Sequence, residues 1–301
     1  MKSLSLCRDA GAALAVMLAG AIMAGVVPAT AGAAAPQPAG MVDEPCPPPL
    51  AMPSTARQVL VDLFMPPRTL GAADFQSLMG HETFAAYDQE LRRRGGSDWA
   101  GLCRYRAAND AMAPGTARVV FLGDSITENW LLADPDYFTG SVVNRGIGAQ
   151  TSAQMLVRFR SDVVALKPAV VHILAGTNDV AGNNGPIRPQ DFRNNIESMV
   201  EMALANGIRV VLGSIPPAAG FNWQPSLRPA PIIDELNRWL RQYAAEKGLG
   251  YVDYHAVLRG SDGELKAALG NDGVHPNRDG YSQMRRLAEA AIAAELRRAG
   301  G

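Results

Sequence analysis

Short apolar runs that alternate with helical patterns from Arg118 onward restrict this chain to one class of fold. The runs, each suited to one buried strand, cover residues 119–122, 142–143, 170–174, 210–212 and 251–252. Between the third and fourth runs, Phe192, Ile196 and Met199 recur at helical spacing. Strands that alternate with helices form a parallel sheet covered on both faces. The pattern therefore predicts a doubly wound α/β sandwich.

Composition agrees with a folded enzyme domain and argues against binding to nucleic acid. The 301 residues are 48% hydrophobic and 19% charged, which is enough apolar side chain for a core. The formal net charge is −1, so there is no surplus of cations to bind a phosphate backbone.

The first residues have the order of a secretory signal peptide. Lys2 and Arg8 precede the uncharged stretch 10–27, and the small residues 29–31 follow it. An uncleaved membrane anchor is the alternative, since the stretch could just span a bilayer. Most of the stretch is Ala and Gly, which insert weakly into a membrane, so cleavage after Ala31 or slightly later is favoured. We therefore expect export to the periplasm or the medium, with no stable membrane anchor in the mature chain.

The rest of the chain divides into three parts. Residues 32–53 are rich in proline and alanine and are predicted to be a linker. Residues 54–115 show helical spacing without a catalytic pattern, and predict a small helical extension. This extension is interpreted as a brace, with a wall of the active-site cleft as the alternative. Residues 116–301 form the main domain.

The cysteines favour a disulfide over a metal site. Only Cys46 and Cys103 of the three cysteines follow the predicted signal peptide, and an oxidising compartment would allow them to pair. Two free, buried thiols are the alternative. The sequence has no Cys-x-x-Cys or Cys/His spacing, so no metal is expected.

Polar clusters follow the predicted strands at the points where active sites form. They occupy residues 123–127, 144–149, 176–179 and 272–275. Ligands of open α/β sheets bind at the carboxyl ends of the strands, which share one edge. The clusters are therefore expected to converge. Alternatively, the four clusters are only turn residues in a nucleotide-binding α/β sandwich. The first strand, however, is followed by neither a Gly-x-Gly-x-x-Gly nor a Gly-Lys-Ser/Thr motif, the usual phosphate-binding sequences.

The residue types in these clusters suit acyl transfer. Such chemistry needs a nucleophile, a base, a group that orients the base, and donors for the oxyanion. Ser125 is the predicted nucleophile and His275 the predicted base. Asp272, three residues earlier, is predicted to orient the ring, and no other histidine has an acid at that spacing. Asn178 is predicted to donate its amide to the oxyanion.

Two further acids and several backbone groups complete this prediction. The N–H groups of Ser125 and of the turn at 146–149 are expected to join Asn178 in the oxyanion hole. Asp124 and Asp179 are expected to hold their loops through hydrogen bonds to backbone N–H groups rather than to take part in chemistry.

These four clusters resemble the blocks of the SGNH/GDSL hydrolase superfamily, and the resemblance spans about residues 117–296. It implies a flavodoxin-like three-layer α/β/α sandwich with five parallel strands. It also implies the same roles for Ser125, Asp272, His275 and Asn178, and no metal or organic cofactor. The family's second block supplies a glycine N–H to the oxyanion, and Ala149 aligns with that glycine. Shifting the alignment by one residue makes Gly148 the donor instead.

An alanine at this position restricts the site in two ways. Its N–H can serve as a donor without strain only if φ is negative, and its methyl group narrows the space beside the acyl carbonyl.

The function that follows is an exported serine esterase that acts on carboxylic esters, such as O-acetyl esters of carbohydrate or other short-chain esters. Two alternatives use the same triad: a lipolytic enzyme of the lysophospholipase or arylesterase type, and an O-acyltransferase. A further alternative, from a different functional class, is a carbohydrate-binding pseudoenzyme. Trp130 and the loop 220–231, with Phe221, Trp223 and Arg228, could bind substrate or simply pack the loops. The expected partner is a small-molecule or glycan ester, and the sequence does not indicate an oligomeric state.

Overall fold

Five parallel strands form the centre of the computed structural model, which describes residues 40–299. The strands are β1 (Val119–Gly123), β2 (Val142–Gly146), β3 (Val170–Leu174), β4 (Arg209–Gly213) and β5 (Gly250–Val252). Their order across the sheet is β2-β1-β3-β4-β5, and each neighbouring pair is parallel. Each strand overlaps one of the predicted runs, so the predicted sheet is confirmed.

Helices precede the sheet and connect its strands. In chain order they are α1 (Ser54–Phe64), α2 (Ala72–Gly80), α3 (Glu82–Gly95), α4 (Arg106–Asp110), α5 (Ser125–Ala133), α6 (Ser152–Asp162), α7 (Thr177–Ala181), α8 (Pro189–Ala205), α9 (Ala230–Lys247), α10 (Tyr254–Leu258) and α11 (Arg278–Ala299). The loops between the strands are therefore mostly helical crossovers, as the α/β prediction requires.

Two apolar clusters, one on each face of the sheet, make the fold a three-layer sandwich. Alternate residues of β1 point to opposite faces, so Val120 and Leu122 join one cluster while Val119 and Phe121 join the other. Helices α6, α8 and α9 cover the first face. Helices α5, α10 and α11 cover the second. The three-layer prediction is confirmed.

The order of the strands places the polar clusters at one crevice. After β1 the chain moves to β2 on one side, and it later returns to β3 on the other side. The loops that leave these three strands therefore meet at the carboxyl edge, where doubly wound sheets bind ligands.

The helical extension shares the apolar cluster on the second face of the sheet, and α1 packs against α5. Buried side chains of α1 and α3, such as Leu60, Phe64 and Phe84, share one cluster with Phe121 of β1 and Tyr281 of α11. Helices α1 to α3 thus add to the core of the second face instead of forming a core of their own.

A disulfide joins the linker to this extension. Cys46 lies among residues 40–53, which contain no helix or strand, and it is bonded to Cys103, with 5.3 Å between the two Cα atoms. The predicted signal peptide, residues 1–31, lies outside the described residues. Within residues 40–299 there is no helix both long and apolar enough to cross a membrane.

Candidate active site

Ser125 lies at a sharp turn, as the first residue of α5 directly after β1. Asp124 caps this helix, because its Oδ1 accepts the N–H of Ile126 at 2.9 Å. A side chain on Gly123 would place its Cβ 2.0 Å from Oγ1 of Thr127, so only glycine allows the turn. The local sequence therefore fixes the position of the Ser125 hydroxyl.

Ser125, His275 and Asp272 form one continuous chain of hydrogen bonds. Oγ of Ser125 lies 2.9 Å from Nε2 of His275, although 150 positions separate the two residues in sequence. Nδ1 of the same ring lies 2.6 Å from Oδ2 of Asp272. The other oxygen, Oδ1, accepts the N–H groups of Val274 at 2.9 Å and of His275 at 2.7 Å. The carboxylate thus orients both the loop and the ring.

These hydrogen bonds and the charges they join change the pKa values of both His275 and Asp272. Burial would lower the pKa of His275, but the charge of Asp272 and its hydrogen bond outweigh burial and raise that pKa above its usual 6.5. Burial would raise the pKa of Asp272, but the charge of His275 and the hydrogen bonds keep it below its usual 3.8. Asp272 is therefore ionised wherever His275 titrates, and it stabilises the imidazolium form.

The turn after β2, residues 146–150, contains a strained alanine. Ala149 has φ of 66°, so the condition of a negative φ is not met. The left-handed conformation costs a residue with a Cβ roughly 1–2 kcal/mol. The N–H of Gly148 donates to Oε2 of Glu128 at 2.8 Å, whereas the N–H of Ala149 has no hydrogen-bond partner within residues 40–299. Of the two alternatives, Ala149 is therefore the one whose N–H is unpaired in the described part of the chain.

Asn178 of α7 reaches the same turn, but its amide is already occupied. Nδ2 donates to the carbonyl of Gln150 at 3.1 Å and to Oδ2 of Asp124 at 3.2 Å. The side chain of Asn183 donates to Oδ1 of Asn178. The sequence predicts an amide that serves the oxyanion, and it does not anticipate these acceptors. Both distances are at the long end of the normal range.

Asp124 and Asp179 hold loops. Asp179 accepts the N–H of Ser152 at 3.0 Å and also its hydroxyl, which fixes the start of α6. Burial raises the pKa of Asp124 to about 7 and that of Asp179 to about 6. In the described part of the chain, neither carboxylate is hydrogen-bonded to the Ser125 hydroxyl or to the ring of His275.

Arg158 is a buried residue of the site that the sequence analysis overlooks. Its guanidinium is fully buried and donates to the carbonyl of Gly123 at 3.0 Å and to that of Arg145 at 2.8 Å. It also pairs with Asp162 at 3.0 Å. It therefore joins the ends of β1 and β2 beneath the nucleophile. The signal was a charge on the buried face of α6 with an acid four residues later.

The extension contacts the loop of the predicted base. Nδ2 of Asn271 donates to the carbonyls of Phe64 at 2.9 Å and Pro66 at 2.8 Å. The ring of Phe64 meets that of His275 edge-on, with 6.2 Å between centroids. The end of α1 thus forms part of the surroundings of His275.

The aromatic residues that were candidates for substrate contact mostly pack the protein. Trp130 is fully buried, and its ring centroid lies 5.4 Å from that of Tyr281, so it belongs to the core. Phe221 is buried and stacks on Trp223 with 5.1 Å between centroids. Trp223 is half-buried and donates to Oδ1 of Asn183 at 2.9 Å. Arg228 is exposed and, among the described residues, donates only to carbonyls of its own loop.

His172 and His255 have partners outside the predicted triad. Nε2 of His172, inside β3, lies 2.8 Å from the hydroxyl of Tyr254, and burial lowers the pKa of His172 to about 3. His255 lies 3.4 Å from Asp234, a pairing across sequence that spacing alone does not reveal. Across residues 40–299, no three His, Cys, Asp or Glu side chains are grouped closely enough to hold a metal ion.

Comparison with known proteins identifies one family. Residues 121–283 match the model of the GDSL-like lipase/acylhydrolase family. The esterase TesA of Pseudomonas aeruginosa is 30% identical over 181 residues, which cover 58% of this chain and 83% of TesA. An acetylxylan esterase of Xylanibacter ruminicola is 29% identical over 150 residues, which cover 44% of this chain and 30% of that enzyme.

Solved structures give the same result. A crystal structure described as a putative acylhydrolase of Bacteroides fragilis has a TM-score of 0.64 and 45% identity, covering 66% of this chain and 98% of its own. A GDSL-like lipase of Bacteroides thetaiotaomicron has a TM-score of 0.63 and 42% identity, covering 65% and 98%.

Proposed function

Because this chain belongs to the GDSL-like lipase/acylhydrolase family, and is a hydrolase of ester bonds, we propose that Ser125, His275 and Asp272 are its catalytic triad. The observation that carries the proposal is the hydrogen-bond chain from Oγ of Ser125 through the ring of His275 to Asp272, at 2.9 and 2.6 Å. Nucleophile, base and orienting acid stand in the order that acyl transfer requires.

The reaction proceeds through an acyl-enzyme. Oγ of Ser125 attacks the ester carbonyl carbon while its proton passes to Nε2 of His275, and the carbonyl oxygen becomes an oxyanion. When the tetrahedral intermediate collapses, the C–O bond to the alcohol breaks and His275 protonates the departing oxygen. Water then attacks the acyl-enzyme with His275 again as base, and the acid leaves as Ser125 recovers its proton.

Three donors are proposed for the oxyanion. The N–H of Ser125 lies at the start of α5, where a helix leaves its first N–H groups without partners inside the helix. The N–H of Ala149 lacks a partner in the described chain, and Nδ2 of Asn178 lies beside the same turn through its bond to Gln150. Together they supply hydrogen bonds where negative charge develops.

The proposed substrates are esters of short acyl groups, including O-acetyl esters of carbohydrate. Ser125 is only 7% exposed and His275 only 9%, which limits the bulk of the group that can reach them. The methyl group of Ala149 narrows the position where the family has glycine. A curated relative is named as an acetylxylan esterase.

Export is also proposed. The order of charged, apolar and small residues over 1–31 is that of a signal peptide. The bond between Cys46 and Cys103 suits an oxidising compartment. The mass of the mature protein recovered from its natural host, with the fraction in which it occurs, tests this proposal. A mature chain that begins near Gly32 is expected, and a chain that retains residues 1–31 would overturn it.

A substrate panel tests the proposed function. Release of acid from p-nitrophenyl esters of two, four and eight carbons is compared with release from acetylated xylan, and Ser125→Ala is the control. The acetyl esters are expected to react fastest. Preference for the eight-carbon ester would indicate a lipolytic enzyme. Acyl transfer to added glycan without release of free acid would indicate an acyltransferase.

A further inference from the structure

We propose that residues 98–105 of the helical extension, here called the brace segment, hold the oxyanion turn, residues 146–150, in its working shape. Arg104 and Glu128 are the positioning residues of this device. The proposal rests on the proposed function, because it assigns a catalytic consequence to contacts beside Ala149. Both residues lie outside the four polar clusters defined from the sequence.

The brace segment binds both ends of the oxyanion turn. The hydroxyl of Tyr105 donates to the carbonyl of Gly146 at the start of the turn. Nε2 of Gln150, at its end, donates to the carbonyl of Ala100 at 2.7 Å. The guanidinium of Arg145, just before the turn, lies 4.8 Å above the ring of Tyr105.

A chain of three groups reaches the middle of the turn. Nη2 of Arg104 pairs with Oε1 of Glu128 at 2.7 Å, and the side chains are 22% and 19% exposed. The other oxygen, Oε2, accepts the N–H of Gly148 at 2.8 Å. Arg104 thus orients Glu128, and Glu128 orients the peptide next to Ala149. Since Gly148 is occupied in this way, the N–H of Ala149 is the one left for a substrate.

The conformation of Ala149 explains why such support is needed. An L-residue with a Cβ rarely adopts a φ of 66°, so an isolated turn with alanine here would favour other conformations. Contacts at Gly146, Gly148 and Gln150 fix the peptides on both sides of the strained residue. An oxyanion donor has to be held close to its working position before the charge develops.

The brace segment is itself shaped for this contact. Gly101 has φ of +70°, and a Cβ there would lie 3.0 Å from Nε2 of Gln150 and from Cδ1 of Ile147. The carboxylate of Asp98 accepts the N–H groups of Leu102 and Cys103, both at 2.8 Å. The segment therefore keeps its own shape through Asp98 and approaches the turn closely through Gly101.

Three variants and one matched control test this proposal. Arg104→Met removes the ion pair, and Glu128→Leu removes the acceptor of the Gly148 N–H. Glu128→Gln keeps a carbonyl oxygen as acceptor. Arg285→Met is the control, because Arg285 also pairs with a carboxylate, Asp134, at 2.7 Å and lies over a tyrosine ring. Asp134 caps the end of α5 opposite to Ser125.

The kinetic experiment measures kcat/KM with an ester substrate and the inhibition constant of a trifluoromethyl ketone that mimics the acyl part of that substrate. Ser125 adds to its carbonyl, the serine proton passes to His275, and the oxygen becomes an oxyanion in the hole. In Arg104→Met and Glu128→Leu, kcat/KM is expected to fall by about 10-fold to 100-fold. The inhibition constant should rise by a similar factor while KM changes little. For Glu128→Gln, both kcat/KM and the inhibition constant should lie between the values for Glu128→Leu and those for the unaltered protein.

The second measurement does not depend on the proposed function. Amide hydrogen exchange of the peptide that spans residues 146–150 is expected to be faster in Arg104→Met and Glu128→Leu than in Arg285→Met at matched stability. Unchanged exchange, or losses of activity equal to that of Arg285→Met, would overturn the proposal and leave the extension as a brace for stability alone. A parent protein that hydrolyses no ester would instead refute the proposed function, while hydrogen exchange would still decide on the brace segment.

Discussion

The ring of Phe64, from the helical extension, meets the imidazole ring of His275 edge-on, with 6.2 Å between their centroids. Phe64 is 3% exposed and therefore shields one side of the predicted base from water. Asn271 reinforces the contact by donating to the carbonyl of Phe64 at 2.9 Å. A segment with no catalytic pattern of its own thus contributes to the surroundings in which His275 titrates.

Phe64→Ala is expected to change both stability and the pH profile. Removing a buried phenylalanine ring costs about 3–5 kcal/mol of the free energy of unfolding. Water that enters the space weakens the burial that lowers the pKa of His275, so the acid limb of kcat/KM should move to higher pH. Denaturant unfolding and a pH–rate profile measure the two effects. An unchanged acid limb would show that Phe64 does not shield His275.

The pH dependence of the unaltered protein follows from the raised pKa of His275. The base acts only when neutral, so kcat/KM should rise with pH through one ionisation above 6.5. Asp272→Asn removes the charge that raises this pKa. The acid limb should therefore move to lower pH. The value of kcat should fall by about 10⁴-fold, because the amide favours the tautomer whose Nε2 carries the proton and no longer stabilises the imidazolium. Asp272→Asn with the kcat of the unaltered protein would mean that another acid orients His275.

Ala149→Gly is expected to stabilise the protein. Glycine adopts a φ of 66° without the steric cost of a Cβ, which exceeds the extra chain entropy that glycine loses on folding. The expected net gain is roughly 0.5–1 kcal/mol in the free energy of unfolding, measured by urea titration. The control is Ala181→Gly in α7, which places the same change in a helix, where a loss of stability is expected. A loss in both variants would contradict the strain at Ala149.

The disulfide is expected to support stability more than chemistry. Changing Cys46 and Cys103 together to Ser opens a loop with a sequence separation of 57, for which loop entropy gives at most about 4 kcal/mol. The melting temperature should fall. The value of kcat at 25 °C should stay close to that of the unaltered protein, because Asp98 and the Arg104–Glu128 pair still hold the brace segment. A large fall in kcat under conditions where the double variant is fully folded would show that the disulfide also supports catalysis.

Sequence patterns predicted the parts of the molecule that depend on local order. Each apolar run became a strand because alternation with helices leaves few other arrangements. The clusters that follow β1, β2 and β3 met because parallel strands share a carboxyl edge. The contact of Phe64 with His275 could not be predicted in this way, since it depends on how α1 packs against α5.

The surroundings of individual side chains could not be predicted from the sequence either. Trp130 follows Ser125 closely in sequence, but the helix turns it into the core. The two acceptors of the Asn178 amide belong to loops from other strands, so no spacing within its own cluster announces them. The charge of Arg158 on a buried helical face was visible in the sequence, and its i+4 spacing to Asp162 could have marked it.

Covalent labelling tests most directly that Ser125 is the nucleophile. A fluorophosphonate transfers its phosphonyl group to an activated serine, with formation of an O–P bond and loss of fluoride. Intact-mass and peptide analysis should find one phosphonyl group on the peptide that contains Ser125, ester hydrolysis should decline in proportion to labelling, and Ser125→Ala should take up none. A protein that keeps full turnover when Ser125 is completely labelled, or that is labelled only at another residue, would contradict the triad of Ser125, His275 and Asp272.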